Sequence, residues 1–164
     1  MRIYLPATSV LLQQLLDTST LAAPLTGFAV TAGLREWYHD DDAEELEYAA
    51  LVEAARASLR LIDADPDAKR RRVVLAVDVP DVEVDVRDDL DRGVVRLAQD
   101  VALSAIVSIH ADDSLTAEVV ELAAQAIAAA DLGDPLAQDR VDDAEGFELA
   151  WYANQELAHL LEML

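Results

Sequence analysis

The residues best equipped to do chemistry gather in two short acidic stretches. REWYHDDDAEELEY, residues 35–48, sets Trp37, Tyr38 and His39 beside Asp40, Asp41 and Asp42. SIHADDS places His110 just ahead of Asp112 and Asp113. Imidazole and carboxylate are ligands for divalent cations, and a histidine oriented by an aspartate can move protons. A small metal-dependent hydrolase or transferase could be built from His39, His110, Asp112 and Asp113 as catalytic groups, with Asp41 and Asp42 on Mg²⁺ or Mn²⁺. That assembly requires the two acidic junctions to lie on one edge of a sheet.

A simpler reading competes at each stretch. Consecutive aspartates at a helix start point in different directions, and the run lacks the glycine and alternating ligands of an EF-hand loop. Asp41 or Asp42 can instead accept the free N–H groups of a first helical turn. Glu44 and Glu45 favour the positive end of the helix dipole, and Glu45 suits a variant capping box. His110 sits where a strand gives way to a helix, a place where ligands often bind in open α/β sheets. Asp113 or Ser114 there can equally be a cap. Capping is the favoured reading at both.

Several chemistries are excluded by what is missing. The chain has no cysteine, hence no disulfide, thiolate nucleophile or cysteine-held metal. No G-x-S-x-G elbow, glycine-rich phosphate loop or H-E-x-x-H helix occurs. The net charge is -21, and the only basic concentration is Lys69 to Arg72, which argues against a nucleic-acid interface. Such a surface leaves cations or basic partners as ligands, and could imitate nucleic acid for a basic protein. A divalent cation is the one cofactor the composition leaves open. Trp37, Tyr38, Trp151 and Tyr152 are candidate binding residues, since Trp and Tyr anchor interfaces, although they more often seal a core edge.

These residues need elements to hold them. With 164 residues and 53% hydrophobic content, the chain suits one folded domain, 1–164. Residues 2–5 read as a strand ended by Pro6, and Thr8 or Ser9 can cap a helix through Leu16. Residues 27–31 return as a strand. The clearest helix spans about 43–62, where Tyr48, Leu51, Val52, Ala55, Leu59 and Ile62 fall at spacings of three and four. Glu53 and Arg56 on its other side are one turn apart.

RRVVLAVDV is a β-branched run suited to a central strand. Residues 82–86 and 94–98 alternate as a hairpin. Residues 105–110 form the next strand and 115–130 a helix. Residues 131–146, acidic with two glycines and a proline, read as a flexible loop. GFELAWY then suits a last strand, and Asn154 can cap a C-terminal helix. The acidic runs at 88–91 and 139–145 read as solvated tips. The expected fold is a two-layer α/β sandwich, with a mixed sheet of about five or six strands and about four helices. The Gly-Phe to Trp-Tyr segments of the first and last thirds echo each other, which suggests a β-α-β-α pseudo-repeat.

The segments MRIYLPAT, FAVTAGLREWY, AEELEYAALVEAARASLRLI, RRVVLAVDVP, AIVSIHADD and LAWYANQEL make the chain resemble a family of short actinobacterial proteins of unknown function. The resemblance implies a cytoplasmic actinobacterial protein and brings no activity or catalytic residue with it. The short, broken apolar run at the start suits neither a signal peptide nor a membrane span. The leading expectation is therefore a non-enzymatic binding or regulatory protein with a protein partner or a homodimer. The metal-dependent enzyme is the alternative.

Overall fold

The structure is a computed structural model that describes residues 1–39 and 41–164. Asp40, the first of the three aspartates, lies outside the described residues. The chain opens with strand β1 (Arg2–Ala7), helix α1 (Ser9–Thr18), and strands β2 (Thr20–Leu21) and β3 (Leu25–Phe28). Helices α2 (Ala32–Tyr38) and α3 (Ala43–Ala64) follow, then β4 (Val73–Asp78), β5 (Val84–Val86), β6 (Val94–Leu97), β7 (Val101–Ala102) and β8 (Ile106–Ala111). Helices α4 (Ala117–Asp131) and α5 (Pro135–Glu145), strand β9 (Ala150–Ala153) and helix α6 (Leu157–Met163) complete it.

Seven strands form one sheet in the order β5-β6-β3-β1-β4-β8-β9, and β2 pairs with β7 in a separate two-stranded sheet. Six helices and these strands exceed the expected about four helices and five or six strands. Every pair in the large sheet is antiparallel, so the sheet is not mixed. The reason lies in the connections. One helix between two strands returns the chain for a parallel partner, whereas α4 and α5 go out and back and deliver β9 antiparallel to β8. Residues 131–146, expected to be a flexible loop, supply that second helix. Asp134 caps it by accepting from the Leu136 and Ala137 N–H groups, Pro135 occupies its first turn, and Ala137, Val141 and Ala144 are its buried stripe.

Helices pack on both faces of the sheet, so the two-layer expectation gives way to three layers. Strand alternation sends Ile3, Leu5, Val73, Leu75 and Ile109 to one face, against Leu12 and Leu15 of α1 and Leu157 and Leu160 of α6. Tyr4, Phe28, Val74 and Ala76 go to the other, against Ala50, Ala54 and Ala55 of α3 and Leu34 of α2. The far end of α3, at Leu59 and Ile62, packs on α4 and α5 as a third cluster. Among the described residues no helix is long and apolar enough to cross a membrane.

Local chemistry fixes these placements. Gly27 lets β3 pass close to β1, since a Cβ there would meet Ile3 Cγ2 and Leu5 Cδ2 at 2.8 Å and the Tyr4 carbonyl oxygen at 2.9 Å. Pro6 does not end β1 but continues it opposite Val74, because its ring suits extended backbone and costs only one ladder donor. Asp88 is a structural tie, not a solvated tip. Its carboxylate accepts from the Thr31 hydroxyl at 2.6 Å, Gly93 N at 2.9 Å and Gly33 N at 3.1 Å, which anchors the start of α2. Burial alone would raise the Asp88 pKa, but these three donors outweigh it and the carboxyl lies below its usual range.

The elements that hold the two Trp-Tyr segments do not correspond. Trp37 and Tyr38 end a helix, whereas Trp151 and Tyr152 lie in a strand, so the two aromatic pairs occupy inequivalent positions.

Ser58, fully buried in the C-terminal third of α3, pins that helix to the sheet. Its hydroxyl donates to the Ala7 carbonyl at 2.7 Å and accepts from the Val73 N–H at 3.1 Å. Ser58→Ala leaves both buried backbone groups without this partner, with an expected loss of about 1–3 kcal/mol measured by urea unfolding. A loss under about 0.5 kcal/mol would show that the hydroxyl is not the pin.

Candidate functional site

Helix α3 runs the length of the sheet, and its direction decides which acidic residues can meet. Its N-terminal end, with Glu44 and Glu47, lies beside Arg2. Ser58, fourteen residues on, lies beside Ala7 and Val73 at the other end of β1 and β4. Ala111 pairs with Val73, so Asp112 and Asp113 leave the sheet at this second end. The Asp41–Asp42 junction and the Asp112–Asp113 junction are thus separated by roughly the length of β1, on the order of 15–20 Å. The structure does not bring them together. Among the described residues no group of three His, Asp or Glu side chains is placed to hold a metal ion.

Asp42, His39 and Asp113 take part in ending or starting helices. Asp42 caps α3, its Oδ1 accepting the Glu44 N–H at 3.0 Å. His39 ends α2 with a left-handed backbone, φ 50°, and donates its N–H to the Arg35 carbonyl. Asp41 lines a shallow cleft with Arg35 and Glu47. Asp113 caps the short turn before α4 by accepting from the Leu115 N–H at 2.8 Å.

Asp112 is the strongest case. Its carboxylate is wholly buried and meets Arg72 in a two-pronged pair, with Nε to Oδ2 and Nη2 to Oδ1 both 2.8 Å. The Arg72 backbone N–H also donates to Oδ2 at 2.8 Å, and the Asp112 N–H donates to the Arg72 carbonyl at 3.1 Å. Arg72 Nη2 reaches on to the Phe147 carbonyl at 2.9 Å. Strand ends and the segment leading into β9 are therefore locked by one ion pair.

His110 belongs to a different constellation. Ser108, His110 and Asp112 alternate onto one face of β8, and Trp151 of β9 pairs with His110 on the same face. The Ser108 hydroxyl lies 3.0 Å from His110 Nε2. Burial lowers the His110 pKa from the ordinary imidazole value, so the ring is neutral at pH 7 and could accept the serine proton. Asp112, the next acidic residue along that side of the chain, is not available to orient the ring, because it gives both oxygens to Arg72.

Ser108 and His110 look into a trough that the helical spacing does not foretell. Tyr48, Leu51 and Val52 continue the stripe of Ala55, Leu59 and Ile62, and periodicity alone assigns all six to the core. The buried face of α3 instead turns through Leu46, Ala49, Ala50 and Ala54. Tyr48 is 53% exposed, and Leu51 and Val52 are half-buried.

Two cavities adjoin along this ridge and share Tyr48 and Leu51. One, of about 310 Å³, is closed by Arg72, Glu145, Phe147, Glu148 and Leu149. The other, of about 300 Å³, lies over Tyr4, Ser108, His110 and Trp151, with Arg2, Glu44 and Glu47 at its rim. Tyr38 and Tyr48 bound a further apolar recess on the opposite side of the ridge. The trough is open because α3 covers β3, β1 and β4, leaving the same face of β8 and β9 without a helix above it.

The four aromatic candidates separate accordingly. Trp151, 61% exposed, faces the trough and Tyr38 borders the neighbouring recess, whereas Tyr152 turns to the opposite face and packs on the α1–α6 core. Trp37 lies apart, with the Arg92 guanidinium 3.2 Å from its ring centroid. Sequence reasoning missed Ser108, Tyr4, Tyr48 and Leu149 as lining residues. The i, i+2 spacing of Ser108 and His110 was the available signal.

Removing one partner of the buried pair should be costly. Asp112→Ala is expected to lose about 3–5 kcal/mol in urea unfolding, and Arg72→Met/Asp112→Leu much less, because only the single change strands a buried charge. Equal losses for both would contradict this. His110 predicts a pH effect. Its folded pKa is lowered, so the unfolded chain takes up the proton first as pH falls. Its contribution is fully present above about pH 6.5 and declines below that. The stability of His110→Gln minus that of the parent should therefore rise from pH 7.5 to pH 5.5, and a flat difference would refute the assignment.

The chain belongs to a family of unknown function, DUF6912, whose model matches residues 1–161. No curated protein and no solved structure matches it.

Proposed function

We propose that this chain is a non-enzymatic binding protein whose ligand lies in the trough between α3 and the open face of β8 and β9, and that it acts in the cytoplasm as a regulatory component. The observation that carries the reading is the misfit between the apolar stripe of α3 and its burial. Tyr48, Leu51 and Val52 have the side chains of a core, yet Tyr48 stands at the surface and Leu51 and Val52 are only half-buried, lining the adjoining cavities. A soluble chain seldom leaves a contiguous apolar ridge uncovered without a partner for it.

The lining supports the same reading. Ligand sites are concave and mostly apolar, with a few convergent polar groups. Here Tyr48, Leu51, Phe147, Leu149 and Trp151 provide the apolar part, and Ser108, His110 and Tyr4 the polar groups. Burial raises the Tyr4 pKa, with Glu47 adding to the effect, and burial lowers that of His110, so both stay neutral near pH 7. Neutral hydrogen-bonding groups beneath aromatic faces suit recognition. Catalysis would need an oriented base or a metal, and Asp112 is committed to Arg72.

Amide shift mapping with a library of small aromatic and amide fragments tests this. Perturbations should converge on Tyr48, Leu51, Ser108, His110 and Leu149 and disappear in Tyr48→Ala. Hits scattered over the surface, or hits that persist in Tyr48→Ala, would overturn the reading.

A further inference from the structure

The trough's charge identifies the class of ligand. Both arginines that touch it are neutralised within the fold. Arg72 is held by Asp112, and Arg2 lies 2.6 Å from Asp78 through Nε. The carboxylates along the trough are not matched in this way. Among the described residues Glu44, Glu47, Glu145 and Glu148 form no ion pair. Two of them stand at each end, and the exposed aromatic residues Tyr48, Phe147 and Trp151 line the trough with them.

Carboxylates flanking aromatic faces recognise organic cations. The rings attract a guanidinium or ammonium group through their quadrupoles, and the carboxylates complete its hydrogen bonds. The molecule already shows this contact internally, where Arg92 stacks on Trp37. The dimensions select among cations. From Glu44 to Ala55 the trough follows α3 for roughly 16 Å, about the span of five residues of extended chain. A lone metal ion would leave most of that length empty, and a second copy of a chain with net charge -21 would be repelled.

We infer that the trough takes an extended, arginine- or lysine-bearing peptide segment of a partner protein, its cationic side chains on Glu145 and Glu148 at one end and on Glu44 and Glu47 at the other. This rests on the trough being the binding site. At the Glu145 end, burial with Asp142 nearby pushes the carboxyl pKa up despite the opposing pull of Arg56 and Arg72, both engaged with aspartates, so a cation seated beside it there would be favoured.

The test is fluorescence anisotropy with a labelled hexapeptide alternating leucine and arginine, at about 150 mM salt to screen diffuse attraction. Its comparator replaces each arginine by citrulline, which keeps the shape and removes the charge. The arginine peptide should bind saturably at one site, and the citrulline peptide at least tenfold more weakly. Glu145→Gln/Glu148→Gln should lose at least tenfold in affinity. Asp139→Asn/Asp143→Asn, the same charge change on exposed positions of α5, should stay within twofold.

Equal weakening by both variants, or no saturable binding of the arginine peptide, would overturn the inference. If the two peptides bind alike and Tyr48→Ala abolishes both, the trough remains the site and the cationic occupant is wrong.

Discussion

The arrangement of this molecule depends on one buried ion pair. Arg72 precedes β4 and Asp112 follows β8, so the pair joins the ends of two neighbouring strands, and the Asp112 N–H also donates to the Arg72 carbonyl. A carboxylate so deeply buried is tolerated only because the guanidinium fork and a backbone N–H satisfy it. Nη2 carries a second N–H beyond the one given to Asp112, and it holds the Phe147 carbonyl. Through this third contact the pair fixes the segment that enters β9, and with it Leu149 and Trp151. A lysine could supply the charge at position 72 but not the planar array that reaches three acceptors at once.

The second constraint is how α3 lies on the sheet. Ser58 fixes one end, and Arg56 and Arg60 reach Asp131 on α4, with Arg56 also touching Gln138 on α5. The intrahelical Glu53–Arg56 pair suggested by spacing yields to these cross-element bonds. Tied at its far end and rotated so that small alanines meet the strands, the helix presents its larger apolar residues sideways. Alanine at 50, 54 and 55 lets the helix sit close to the sheet, which leaves Tyr48 exposed and Leu51 and Val52 only partly covered.

Much of the fold was legible in the sequence where patterns were long. The central strand at RRVVLAVDV, the 43–62 helix and the β5–β6 hairpin all stand close to where their periodicity placed them. What failed were features that periodicity does not encode. Helix α5 has polar residues on most of its surface and only three buried positions, so its acid content read as loop, and with it went the sheet's direction. Asp88 looked like a solvent-facing acid because its partners, Thr31 and Gly33, are more than fifty residues away.

The candidate site was legible in part. His110 and Trp151 were chosen from sequence, but their union with Tyr48 and Ser108 comes from strand register and helix rotation, neither of which one sequence displays. The acidic runs offered a metal site on paper, and the direction of α3 separated them.

The edges of the sheet bear on how anything can be recognised here. At β9 the Ala153 N–H, which points away from β8, is occupied by the Glu156 carboxylate at 2.8 Å, and by alternation Trp151 is the other residue of this short strand whose N–H points outward. At the opposite border β5 is three residues long, carries Asp85 and follows a tight turn. Neither border offers a row of free backbone donors and acceptors, so an incoming chain has no template on which to become an eighth strand. Discrimination between partners is left to side chains, which can change without disturbing the ladder, and the same closure guards the folded molecule against edge-to-edge aggregation.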